Sequence, residues 1–225
     1  MPYIGYFQLI KASERFILFD DVQFIRHGWI ARNRVLKPDA GWQYVIIPLQ
    51  AHNQNTLIKN IFITENVEWK NKLLRQLEHY KKKAPYYKNT IDLLRCCFEY
   101  NNLSIVEFNG NCLQVICDYL DIPFKVEISS KMNFDYSNVN DAGEWALRIS
   151  EQLGANSYLN PSGGAELFDS IKFSSKGIEL NFLETNLVEY SQRRPCFESA
   201  LSIIDVLMFN SKDEIHRYLD FFSLK

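Results

Sequence analysis

The chain has 225 residues, of which 47% are apolar and 23% charged, and its formal net charge is −2. That length is enough to bury a core without disulfide help, and that balance reads as an ordinary soluble globular protein with no broad electropositive footprint for nucleic acid. No segment approaches the about 18 uninterrupted apolar residues of a membrane span, and the N-terminus lacks the basic and apolar regions of an export signal, so the expectation is a cytoplasmic protein with no membrane span.

In chain order, Gly5 to Ala12 places Tyr6, Phe7, Leu9 and Ile10 at helical spacing. Arg15 to Phe19 is a short apolar run bounded by charge, which predicts a strand buried on both faces, with Asp20 and Asp21 at its end. Lys37 to Gly41 is turn chemistry, and Gly41 to Pro48 predicts a strand. Leu57 to Phe62 suggests a third strand. Helices are expected from Trp69 to about Lys81, from Tyr87 to about Asn101 and from Asn109 to Leu120, with Ala84-Pro85 breaking the first from the second. Phe124 to Ile128 returns to β character, Asp141 to Leu153 to helix, and Ser157 to Asn160 to a short strand. A turn over Pro161 to Ala165, a helix over Glu166 to Phe173 and a strand over Gly177 to Phe182 follow. The chain closes with an extended Tyr190 to Pro195 and apolar helices from Ser202 to about Phe222. The reading is an α/β fold: a largely parallel sheet with flanking helices and a helical middle and C-terminal part. It treats residues 1–225 as one domain with a mostly helical insertion at about 68–121.

Five cysteines (Cys96, Cys97, Cys112, Cys117 and Cys196), odd in number and including an adjacent pair, suit reduced thiols. With no Cys-x-x-Cys, no metal site is expected. Lys81 to Lys83 reads as a solvated helix end. Trp29, Arg32, Asn33 and Arg34 form a cluster beyond a strand end, and arginine beside asparagine suits a phosphate or carboxylate: a planar fork of donors plus an adaptable amide. His27 adjoins it as a candidate acid or base, with His79 of similar standing. Asp20 or Asp21, with Gln23 in reach, is suited to hold a hydroxyl, an amine or a metal ion; if the strand persists, the two acids point to opposite faces. Ser162, Gly163 and Gly164 form a turn whose backbone amides can cradle an anion, although a helix entry that needs glycine explains it equally well. Arg193 and Arg194 precede Pro195 in an extended segment, and one of them could reach a pyrophosphate. Asp205 is the polar exception in the apolar LSIIDVLMF, and a buried carboxylate there needs a partner, for which an arginine is expected.

The strings PYIGYFQLI, FDDVQF, GWIARNRV, WQYVIIP, YKKKAPYY, NPSGGAELFD and LSIIDVLMFN together resemble the blocks of the WbqC-like family, in the same order and over nearly the whole chain. That family is encoded among genes for bacterial surface polysaccharides, so the resemblance implies a role in modifying O-antigen or capsule precursors. Its members usually begin with an apolar strand and a Gln-Pro-x-Tyr turn ahead of the PYIGYF block. This implies that Met1 is an internal methionine, and that Met1 to Tyr6 lies at a sheet edge beside a strand-wide gap next to Arg15 to Phe19. With that strand restored, Gly5 and Tyr6 begin a helix at one edge of the sheet, a layout similar to that of HIGH-motif nucleotidyltransferases and tRNA synthetases, though with tyrosine in place of histidine. Family members lack a cysteine at the position of Cys196.

The resemblance implies an enzyme that transfers an N-acyl or N-aminoacyl group to the amine of a nucleotide-linked deoxyamino sugar. Asp20 or Asp21, with His27, would orient or deprotonate the amine, and Arg32 and Arg34 would hold phosphate or the acyl or aminoacyl carrier. The Ser162 to Gly164 turn would stabilise an oxyanion. Two alternatives stay open: an adenylate-forming or nucleotidyltransferase-like enzyme using a nucleoside triphosphate, and a sugar-nucleotide-binding protein without catalysis. No cofactor is implied.

Overall fold

A computed structural model describes residues 1–225. In chain order the regular elements begin with α1 (Ile4–Ala12), β1 (Ile17–Leu18), β2 (Arg32–Leu36), β3 (Trp42–Ile46), α2 (Glu68–Gln76), α3 (Tyr87–Phe98) and α4 (Ile105–Tyr119). After them come β4 (Glu127–Ile128), α5 (Glu144–Gln152), β5 (Ser157–Pro161), α6 (Ser170–Ser174), β6 (Glu179–Thr185), α7 (Ile203–Phe209), α8 (Lys212–Leu219) and β7 (Phe222–Leu224). Several helix starts are set by side chains that satisfy otherwise orphaned amides. Ser104 accepts from Glu107 N at α4, Asp169 accepts from Ile171 N at α6, and Ser211 and Glu214 form a reciprocal capping box at α8. No helix is long and apolar enough to cross a membrane.

The α/β class holds, but in place of a largely parallel sheet there are three small ones. β1 pairs in parallel with β4 through Ile17–Glu127 and Leu18–Ile128, and β2 pairs antiparallel with β3. In the third sheet β6 is parallel to β5 and antiparallel to β7. The apolar run Arg15 to Phe19 was read as a strand between strands, because apolar character is legible in composition while the identity of the covering element is not. Here aromatic side chains do much of the covering. Phe16 packs edge-on against Tyr6 and Phe124, at ring separations of 5.2 and 6.2 Å, and Phe19 meets Tyr136 and Trp145. β1 has a strand on one side only. Met1 to Tyr6 joins none of the three sheets: Tyr3 makes one isolated antiparallel bridge to Ser202, Pro2 O accepts from Ile203 N at 2.7 Å and Met1 O from Ser202 Oγ at 2.9 Å, which fastens the segment to the start of α7. Met1, Pro2, Tyr3 and Tyr6 do, however, face a cavity shared with Leu18 and Phe19.

Two other expectations are corrected. The stretch ahead of Lys37 is a strand, so residues 32–46 form a hairpin around the expected turn, with Gly41 at φ +69°. Leu57 to Phe62 is a 3-10 turn over Ile58–Asn60 with isolated bridges on either side.

The main core joins α1, α3, α4, α7 and α8 to β2 and β3, with Phe7, Val35, Leu94, Ile105, Ile116 and Ile203 all but inaccessible. A smaller cluster of Leu147, Phe173 and Ile178 lies under the third sheet. α5 is pressed close to the chain after β5: a Cβ on Gly143 would stand 2.0 Å from Leu167 O, a backbone atom that cannot swing away. Gly143→Ala is therefore expected to lower stability by about 1–3 kcal/mol, the usual cost of overpacking, read as a lower midpoint in thermal unfolding.

Candidate functional site

A cavity of about 500 Å³ opens between α1, the end of β1, β2 and α4. Its wall is mostly apolar, with Leu18, Ile30, Val106 and Leu113 among the contributors, and Arg34 and Asp20 are the one basic and the one acidic side chain on it. Of the residues singled out in the sequence, Tyr6, Asp20, Trp29, Asn33 and Arg34 line this space. All five come from the first 34 residues, and α4 and Ala200 add to the wall.

Asp20 is buried, and its carboxylate accepts from Ser130 N at 2.9 Å and Ser130 Oγ at 2.7 Å, while Ser129 Oγ, 2.9 Å away, has a single proton to give to either Asp20 or Asp21. Of roughly four lone-pair sites on a carboxylate, Ser130 takes two, so at least one is left for a ligand even when Ser129 also donates to Asp20. Asp21, expected on the opposite face, turns back toward the same Ser129 at 2.8 Å, because the strand ends at Leu18 and imposes no alternation beyond it. It also meets Lys59 Nζ at 2.9 Å and the Tyr136 hydroxyl at 3.0 Å. Burial works to raise its pKa, but Lys59, Ser129 and Tyr136 together outweigh it and hold the carboxyl below its ordinary value. Asp21 does not line the cavity. Tyr6 does, and burial pushes its phenol up to about 12.

Asn33 and Arg34 are successive residues of β2. Asn33 is buried and its Oδ1 accepts from Arg34 N at 2.8 Å. The Arg34 guanidinium donates to Ala200 O at 3.1 Å, while its Nε is buried with no partner. α4 contributes Val106, Asn109, Cys112 and Leu113, with Asn109 Nδ2 donating to Ile30 O at 3.0 Å. These four share one helix face, which sequence reasoning did not single out, since a cavity wall and a core face carry the same apolar spacing.

The other candidates lie elsewhere. The His27 imidazole is exposed on a residue with φ +58°, and its carbonyl accepts from Arg32. Gln23 Nε2 donates to Gln54 O at 2.7 Å. His79, whose pKa is lowered by burial, is held by Gln76 O. Gly5 has a packing explanation, since a Cβ there would meet Thr185 Oγ1 at 2.3 Å and the Tyr3 ring at 2.5 Å. Ser162, Gly163 and Gly164 fall in a 3-10 turn after β5, with Gly164 close against Asn160, and line none of this cavity. Arg193 and Cys196 are exposed, and Arg194 is spent on the carbonyls of Lys37 and Gly41. Asp205 is buried as expected, but its partners are not arginines. The Tyr80 and Tyr190 hydroxyls donate to it at 2.6 and 2.7 Å and Gln192 Nε2 at 2.9 Å. Burial outweighs these donors and raises its carboxyl to about 6.

The comparisons with known proteins agree with the blocks found in the sequence. The uncharacterized protein Rv1507c of Mycobacterium tuberculosis is 28% identical over 224 residues, covering 97% of this chain and 93% of that protein. No solved structure matches. The family model of the WbqC-like protein family matches residues 1–217, and the chain therefore belongs to that family.

Proposed function

We propose that the protein is a transferase that moves an acyl or aminoacyl group to the amine of a nucleotide-linked deoxyamino sugar destined for a bacterial surface polysaccharide. The observation that carries this reading is a cavity of about 500 Å³ in which an apolar wall adjoins one guanidinium, one carboxylate and two carboxamides. That combination suits a neutral sugar and an acyl chain together with an anionic group. In the reaction the amine nitrogen bonds to the acyl carbonyl carbon, the carrier leaves with the bonding pair, and the proton that the amine loses ends on the departing carrier. The free lone-pair site of Asp20 accepts from the amine and aims it. Asn33 and Asn109 are placed to bond sugar hydroxyls, and Arg34 to hold the anionic group.

Incubation with amino-sugar nucleotides and acyl or aminoacyl donors is expected to yield a product heavier by the acyl group in mass spectrometry. No mass shift with any donor, under conditions where the sugar nucleotide binds saturably, would replace this reading with the non-catalytic one. That second reading has its own support: with both Ser130 donors on Asp20, its carboxylate serves as well to position a ligand as to take a proton from one.

A further inference from the structure

The antiparallel register of β2 and β3 sets Arg32 opposite Ile46 and Arg34 opposite Tyr44, so both guanidinium groups share the hairpin face with Trp42 and Tyr44. The Arg32 guanidinium lies 4.2 Å from the Tyr44 ring centre, and that of Arg34 lies 5.6 Å from Trp29 and 5.2 Å from Trp42. Neither arginine forms an ion pair, and the Nε of each is buried without a partner. Trp29 is 60% exposed. Two guanidinium groups without counter-ions, laid over aromatic rings beside a bare indole, match a ligand with closely spaced negative charges and a planar ring.

We propose that this face binds the nucleoside diphosphate end of the substrate, the base stacked on Trp29 and the two phosphates held by Arg32 and Arg34. Trp29 and Arg34 belong both to this face and to the cavity wall, so a diphosphate here leaves the attached sugar at the cavity. The inference rests on the transferase reading for the sugar's destination, while the nucleotide end is testable by itself. A polynucleotide is the poorer fit, because the chain is net negative and this basic cluster is local.

The test is calorimetric titration of the full chain with uridine diphosphate, thymidine diphosphate, inorganic pyrophosphate and a single-stranded oligothymidylate. The better nucleoside diphosphate is expected to bind at least ten-fold more tightly than pyrophosphate. Trp29→Ala should remove about ten-fold of that affinity, with pyrophosphate binding and thermal midpoint unchanged, and Arg32→Ala should weaken both ligands. Equal affinity for nucleotide and pyrophosphate, indifference to Trp29→Ala, or tighter binding of the oligonucleotide than of any mononucleotide would overturn the proposal. Acyl transfer with an unaltered KM in Trp29→Ala would overturn this face and leave the transferase reading standing. Nucleotide binding that depends on Trp29, without transfer, would do the reverse.

Discussion

Asp205→Ala is expected to lower the unfolding free energy by about 2–4 kcal/mol at neutral pH. Removing the carboxylate orphans three donors on buried or largely buried groups, the Tyr80 and Tyr190 hydroxyls and the Gln192 amide, at about 1–3 kcal/mol each. Against that, the wild-type protein carries the cost of an ionised carboxyl in its interior. With a folded pKa of about 6 and an ordinary value of 3.8, that cost is about 3 kcal/mol. The orphaned donors win, because the same aspartate ties the 190–192 segment and Tyr80 to α7, while Tyr80 accepts from Leu36 N at 2.9 Å. The sign of the pH dependence follows. A carboxyl whose folded pKa is raised favours the folded state fully below pH 4, and that contribution disappears as pH rises through about 6. Asp205→Asn keeps the shape of the side chain and removes its titration, so the stability of wild type relative to Asp205→Asn should fall by about 2 kcal/mol between pH 4 and pH 7. Denaturant melts of both proteins across that range check it. A constant difference would mean that Asp205 titrates alike in the folded and unfolded chains.

The second large effect is expected at Arg34. Because it is the one basic side chain on the cavity wall and no carboxylate neutralises it, Arg34→Ala should weaken binding of the anionic substrate about ten- to a hundred-fold, the usual value of a charge-assisted hydrogen bond. Arg34→Glu should do worse, since it sets like charges against each other inside a mostly apolar space. Arg34→Lys should recover only part of the loss, because an ammonium lacks the planar fork that rests between Trp29 and Trp42. Calorimetry with the substrate nucleotide, together with kcat and KM for each variant, provides the check. Thermal midpoints within a few degrees of wild type are expected, since the side chain makes a single hydrogen bond, to Ala200 O. Unchanged affinity in Arg34→Glu would remove Arg34 from the site.

What the sequence revealed and what it hid divide along physical lines. Helices with periodic apolar faces, such as α1 and α3, were legible because burial on one side leaves a 3.6-residue signature. The apolar character of Phe16 to Phe19 was legible too, but of the four only Leu18 is buried, and the partial covering of Phe16 and Phe19 by Tyr6, Phe124, Tyr136 and Trp145 comes from segments whose approach only tertiary packing decides. β2 was missed because Arg32 and Arg34 looked like a polar loop. On a hairpin face those arginines stack over aromatic rings, which hides their strand character from any pattern of apolar alternation. The same two residues were marked as anion-binding candidates all the same, since a guanidinium's chemistry does not depend on the element that carries it. Arginine was the wrong partner for Asp205: charge arithmetic favours a cation, but tyrosine hydroxyls and a glutamine satisfy a buried carboxylate without bringing a second charge into the core.

A crystal structure of the protein with an amino-sugar nucleotide is predicted to show the sugar inside the cavity, its amine within hydrogen-bond reach of Asp20 and a phosphate against Arg34. A ligand seated instead on the Ser162 to Gly164 turn, with the cavity holding only solvent, would contradict that placement.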